Sequence, residues 1–492
     1  MQDTLIQTRF SREISRQDTL ARIARALASI VFVSLLVLIA LTAIPYGTAE
    51  AWWKALFVCA VFATTIIWLI EGYLSGSWIR DGWSLILPIA ALAVFSYIQT
   101  LSFTKSSIQP NAIAFPTWTA ISLDPYQTRF FVAQLLALMF AGIFLMRYVS
   151  TQGRLRILIN VVIGVAVTSA IFGILRQTAQ HQLGFALPLL PLGSGYGQFI
   201  NKNHFAFLME MGFGLALGMI LGGVNKREQS VIYFAALLPI WTGLALCGSR
   251  GGLIAMLAQV VAAALLFSLV FPRQHRIESE SAIWRVVQSK SVRVLLLLIL
   301  VGGVVYGTVW LGGDPLASKI EASRQELSFE TDALRQGASR QEIWQLTWRI
   351  FAAHPMLGVG MGAYWVAVPA FHDASGVMLP QEAHNDYLEL LASGGLLGLA
   401  LGLWFVFMVI RRTRQNLCSA NLFLRATCFG ATIGIVGVAV HSLFDFGLHM
   451  IVNALVFTTL IVIATSNPQW ARGANARSRR EVRARGSQAE DL

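Results

Sequence analysis

One feature recurs twelve times along this chain: a run of mostly apolar residues close to the roughly 20 that an α-helix needs to cross the hydrocarbon core of a bilayer. The approximate runs are 26–45, 53–71, 83–101, 129–147, 157–175, 204–222, 230–247, 251–271, 294–312, 387–410, 424–444 and 449–466. Open strands leave backbone edges unsatisfied in lipid, so each run is read as a helix. Composition agrees, because hydrophobic residues make up 56% and charged residues 13% of 492, which excludes a soluble enzyme. The expected fold is an all-α integral membrane protein of about twelve transmembrane helices, with a large external loop between the ninth and tenth.

Arginine and lysine set the orientation. With the N-terminus in the cytoplasm, 26 of the 37 basic residues fall on inside segments or the adjoining helix ends, which supports an even number of spans with both termini inside. The net charge of +12 is then explained by loops facing anionic lipid and needs no nucleic acid. In the tail after Pro468 no aromatics interleave the arginines, which run from Arg472 onward, unlike a nucleic-acid arm. The resulting division is a cytoplasmic N-terminal segment (1–25), helices one to nine (26–312), an external loop (313–386), helices ten to twelve (387–466) and a basic cytoplasmic tail read as disordered (467–492). Helix one is read as retained, since the polar leader is too long for a signal peptide's basic region. The cysteines Cys59, Cys247, Cys418 and Cys428 show no paired spacing, so neither a metal nor a disulfide framework is expected.

Three external segments are long: 102–128, 176–203 and 313–386. In the third, RQEIWQLTWRIF puts Ile343, Trp344, Thr347, Trp348 and Phe351 at three-four spacing, an amphipathic stripe suited to the bundle or the interface. The glycines of HPMLGVGMGAY then break it; a nucleotide loop is not expected there, because no strand precedes it. Small residues recur four apart at Gly214 and Gly218, Gly398 and Gly402, and Gly430 and Gly434, which allows close helix contact. At the end of the long loop, HNDYLELLASGGLLG sets a His-Asn-Asp cluster directly against an apolar run. A histidine at the mouth of a membrane helix is either a site or a satisfied polar anchor.

That stretch fits His, then Asn/Ser/Gln, nine residues, Gly, two residues, Gly, with His384, Asn385, Gly395 and Gly398 in the fixed positions. It resembles the signature of bacterial O-antigen ligases and the related O-antigen and exopolysaccharide polymerases. GQFINKNHFA (197–206), GSRGGLIA (248–255), SRQEIWQLTWRIFAAHPMLGVGMGAY (339–364) and HSLFDFGLHM (441–450) are similar too, in order and on the expected outer side. The resemblance implies a membrane-embedded, GT-C-like glycosyltransferase of the bacterial inner membrane with its active site facing the periplasm. Its donor is a glycan on undecaprenyl diphosphate and its acceptor a hydroxyl of a glycan or lipid A-core; no metal or cofactor is implied. Inverting transfer follows from the resemblance alone. The motifs do not separate ligase from polymerase.

Expelling a lipid diphosphate calls for fixed cations, and arginine's planar fork matches phosphate oxygens. Arg250, flanked by Gly248, Gly251 and Gly252 at a helix start, and Arg340, heading the amphipathic helix, are the expected diphosphate binders; the bland readings are a snorkelling and a solvated arginine. His384 is the candidate base for the attacking hydroxyl, kept neutral by nearby arginines. Lys202, Asn203, His204 and Asn385 are weaker substrate-binding candidates, with helix capping as the rival role, and Arg176 is placed on the carrier path. Glu210 sits in the apolar zone and needs a partner. His441 and Asp445, four apart, are read as structural support able to bond to each other. The rival of another class is a small-solute or anion transporter, since twelve helices is a common transporter count; the two halves show no convincing repeat.

Overall fold

The computed structural model describes residues 2–78, 82–102, 120–179, 195–223, 227–271, 340–371, 380–466, 468 and 470. The helices are α1 (Gln2–Ala43), α2 (Ala51–Ser75), α3 (Trp83–Ile98), α4 (Pro125–Tyr148), α5 (Gln152–Ala179), α6 (Lys202–Leu221), α7 (Arg227–Leu246), α8 (Arg250–Val270), α9 (Arg340–Ala353), α10 (Tyr364–Phe371), α11 (Asp386–Leu417), α12 (Leu422–His441) and α13 (Ile451–Thr465). Among the described residues there is no sheet beyond two isolated bridges. Nine helices among the described residues are long and apolar enough to cross a membrane, and two shorter apolar ones, α3 and α13, match expected runs. The run at 294–312, the tail after 470 and much of the three external segments lie outside the described residues. Chain and bundle are thus those of an integral membrane protein. All four cysteines are free.

The periphery is apolar and the centre is packed. Leu257, Leu265 and Leu269 point outward at 54–76% exposure, as lipid-facing residues do. By contrast α6 is buried on every side from His204 to Met219, the pattern of a helix at the bundle centre. Its glycines let it approach α12: a methyl group added at Gly214 or Gly218 would run into the backbone of Gly434 or Gly430. This spacing was legible as packing and serves as packing.

α11 is not one continuous rod. Gly395 adopts φ 62° and ψ −163°, a conformation essentially restricted to glycine, and the helix breaks there. A break inside a buried helix frees backbone groups that must find partners. The 355–361 loop supplies them. Val359 N and Gly360 N donate to the carbonyls of Ala392 and Ser393, both at 3.0 Å, while Leu396 N and Leu397 N donate to Pro355 O and Met356 O at 2.8 and 3.2 Å. Gln99 stitches the same seam, its Nε2 donating to Leu357 O (2.7 Å) and Ser393 O (3.1 Å) and its Oε1 accepting from Met361 N (3.1 Å). The glycine-rich HPMLGVGMG segment is therefore the complement of a broken helix.

α9 corrects the expected stripe by one position. Its buried residues are Ile343, Leu346, Thr347 and Ile350, with Thr347 Oγ1 and Tyr364 Oη 2.7 Å apart. Trp348 is 55% exposed and packs on Phe351 instead, because the face that meets α10 and α11 is centred on Leu346.

Candidate functional site

Four helix N-termini and one turn converge on a single carboxylate. Asn201 caps α6 by accepting from Asn203 N, Ser249 caps α8 by accepting from Gly252 N, and Asn385 caps α11 by accepting from Tyr387 N and Leu388 N. Each cap fixes the direction in which the residues beside it emerge. Arg340 opens α9. The turn is 442–450, between α12 and α13.

Asp445 lies at the middle, with no solvent exposure. Its Oδ1 is 3.5 Å from His384 Nδ1 and 3.7 Å from His204 Nε2, and its Oδ2 is 3.6 Å from an Arg340 guanidinium nitrogen. Asn203 Nδ2 donates to the same Oδ2, and Phe446 N donates to Oδ1 at 2.9 Å. Ser249 Oγ donates to Asn203 Oδ1 (2.8 Å), which ties the start of α8, and with it Arg250, to the cluster. Burial would raise the Asp445 carboxyl, but His204 and His384 beside it hold it well below the usual carboxylate range. The ionised carboxylate thus faces His384 and Arg340 together.

His384 is placed under strain. Its φ is +50°, a left-handed backbone rare outside glycine. Its neighbours pin it: Asn385 Nδ2 donates to Leu443 O (3.1 Å) and Asp386 N to Ser442 O (3.0 Å). The imidazole turns Nδ1 toward Asp445, packs edge-on against Phe446 (4.8 Å between centroids) and keeps 31% of its side chain exposed. A ring with a carboxylate 3.5 Å from its buried Nδ1 and 31% of its side chain exposed is placed to accept a proton from an incoming hydroxyl.

The other expected residues divide. Asn203 and His204 stand in the cluster. Lys202 is exposed at the first position of α6. Asn385 is 7% exposed, and both ends of its amide are taken by capping and by Leu443 O. Arg176 is buried and donates to Gly197 O (2.6 Å), holding the 195–200 turn rather than joining the cluster. His441 and Asp445 do not pair through their side chains: His441 Nδ1 meets Glu210 Oε1 at 2.7 Å, with its ring stacked on Phe207 at 4.1 Å. Glu210 thereby finds its partner, and Asp445 is freed to act as the hub.

Sequence reasoning missed a second cluster on the far side of Phe446. His449 Nδ1 is 3.3 Å from Glu382 Oε2, and its Nε2 is 3.5 Å from Glu389 Oε1 and 3.8 Å from Asp386 Oδ1. Burial opposes a charge on this ring, yet the carboxylates push its pKa up to about 10. Glu382 is conversely held below its ordinary value by His449, against its own burial. The available signal was Glu389 at i+3 from Asp386 on α11, one face of one helix.

No curated protein matches the chain. Residues 234–403 match a known family, in a stretch that contains Arg250, Arg340, His384, Asn385, Gly395 and Gly398 and stops short of Asn203, His204 and Asp445. The description of that family is O-antigen ligase, so over these residues the chain is similar to O-antigen ligases, in agreement with the motif order.

Proposed function

We propose that the protein is a glycosyltransferase of cell-surface polysaccharide assembly, moving a glycan from undecaprenyl diphosphate to a sugar hydroxyl at the periplasmic face of the inner membrane. The observation that carries this reading is the Asp445–His384–Arg340 arrangement, with spacings of 3.5 and 3.6 Å about one buried carboxylate. Asp445 orients the imidazole through Nδ1 and stabilises the imidazolium that forms. The acceptor O–H gives its proton to the ring as its oxygen bonds to the anomeric carbon. The bond between that carbon and the diphosphate oxygen breaks with its electron pair, and the leaving diphosphate takes up the charge beside Arg340 and Arg250. The capped starts of α6, α8 and α11 add dipoles of the same sign for the anion. Attack opposite the leaving group inverts the anomeric centre. The bias of basic residues toward one side supports both termini inside, and that reading turns this end of the bundle outward.

The test is transfer in liposomes supplied with a lipid-diphosphate glycan and candidate acceptors. His384→Ala is expected to lower turnover by roughly 10²–10⁴-fold, the usual worth of a general base. Full transfer by that variant at normal protein level would remove the base role. A longer polymer as product identifies a polymerase, and a capped acceptor a ligase.

A further inference from the structure

One buried ionisable pair is not used by the transfer chemistry. Glu210 on α6 and His441 at the end of α12 have no solvent exposure, and they meet at 2.7 Å through Oε1 and Nδ1. Phe207 stacks on the imidazole at 4.1 Å between centroids and fixes its plane. An apolar pair of similar volume would often pack at least as well in the centre of a bundle, so packing alone does not account for them.

The ring has a free edge with a definite aim. His441 Nε2 and Glu210 Oε2 have no hydrogen-bond partner among the described residues. Nε2 and Cδ2 of the ring lie 2.7 Å from where a Cβ would stand on Gly251, the second residue of α8 and the neighbour of Arg250. Gly252 makes the same kind of approach to Ala206 of α6, at 2.8 Å. The two glycines of GSRGG therefore seat the start of α8 on two surfaces, one of which is the His441 ring.

His441 also carries the hub. Phe444 N and Asp445 N donate to its carbonyl at 2.8 and 3.1 Å, so the turn bearing Asp445 hangs from the backbone of the residue whose side chain touches α8. The two roles are separable, because substituting the ring or its carboxylate partner leaves that carbonyl in place. About two turns deeper along α8, Gln259 joins the same three helices, its Nε2 donating to Glu210 O (2.8 Å) and Ile433 O (3.0 Å). It braces the bundle at that depth.

Resting on the transfer reading above, we propose that Glu210 and His441 are positioning residues for the lipid diphosphate. Glu210 holds the imidazole at Nδ1, the held ring bears on Gly251, and Gly251 fixes the direction in which Arg250 leaves the start of α8. A ring tethered at one nitrogen and stacked on Phe207 cannot swing aside, so the backbone that carries the guanidinium is presented to the diphosphate in one orientation. The acceptor side is set apart from this device, because His384 is held through Asn385 and Asp386 on the carbonyls of Leu443 and Ser442.

The experiment uses the full chain in lipid nanodiscs and reads affinity for a polyprenyl diphosphate, donor KM and acceptor KM. Glu210→Gln keeps the volume of the side chain and removes its charge. Gly251→Ala keeps the pair and drives a methyl group into the ring, on a helical backbone that alanine favours. Each is expected to weaken diphosphate binding and raise donor KM by roughly fivefold or more, with acceptor KM unchanged. In an Arg250→Ala background the further loss should be under about twofold, since the pair acts through that side chain. Gln259→Leu, which removes the deeper brace, should lower the melting temperature without a donor-selective loss. The positioning role is overturned, and the transfer reading left standing, if both variants bind and transfer like the parent. It is equally overturned if their loss persists in full without Arg250, or if Gln259→Leu reproduces the donor-selective loss. Should Glu210→Gln not fold, Gly251→Ala alone decides between these outcomes. Diphosphate binding that depends on the pair, in a parent that transfers no glycan, would keep the positioning role and discard the proposed function. A parent that binds no diphosphate would overturn both.

Discussion

At φ +50°, His384 is one of three non-glycine residues with positive φ among those described, and such backbone costs on the order of 1–3 kcal/mol. The strain persists because Asn385 and Asp386 are bonded to the 442–443 turn, so the position of the imidazole is set by residues almost sixty positions downstream. Asp445 is the hub of that arrangement, and Asp445→Asn should keep its shape while removing the charge. Transfer is then expected to fall by roughly two orders of magnitude or more, with an altered pH profile, read in the same liposome assay. A structural role alone would lower protein yield and leave the pH profile of the surviving enzyme unchanged. His449 gives a separate signature in stability. Its folded pKa of about 10 lies above the usual ~6.5, so its contribution is complete below pH ~6.5 and is lost as pH rises through about 10. The melting midpoint should fall over that window, and His449→Gln should flatten the fall.

The elements show why a motif can be recognised before it is understood. Gly395 and Gly398 stood out by spacing, but only one of them bends anything. Gly395 breaks α11, and a methyl group there would come within 2.5 Å of the Met356 carbonyl carbon; Gly398 merely faces Phe95 at 3.7 Å. Gly395→Ala is therefore expected to cost on the order of 1–3 kcal/mol or more, seen as a lower melting temperature in detergent. Gly164→Ala on α5, where a methyl group meets nothing within 4 Å, serves as the comparison and should be neutral or mildly stabilising. The amphipathic helix was legible from its period, yet its buried face is centred on Leu346, because the partners α10 and α11 choose which side is covered. Periodicity gives the stripe; packing gives its angle.

For the whole molecule, eleven of the twelve apolar runs correspond to described helices, nine of them long enough to span and two shorter. If both termini lie inside, single cysteines introduced at Ala51 and Gln381 should react with an impermeant maleimide from the periplasmic side, while one at Gln415 should be protected. Labelling in the opposite sense would invert the site. The membrane class of the protein, the places of eleven apolar helices along it, the charge asymmetry and the family signature were all readable in the chain, because each depends on local length, local polarity or local spacing. The meeting of His384 with Asp445, the pairing of Glu210 with His441, the loop that repairs the break at Gly395 and the cluster around His449 were not. They join residues tens to hundreds of positions apart, and such contacts are fixed by the packing of helices against one another, which no local pattern encodes.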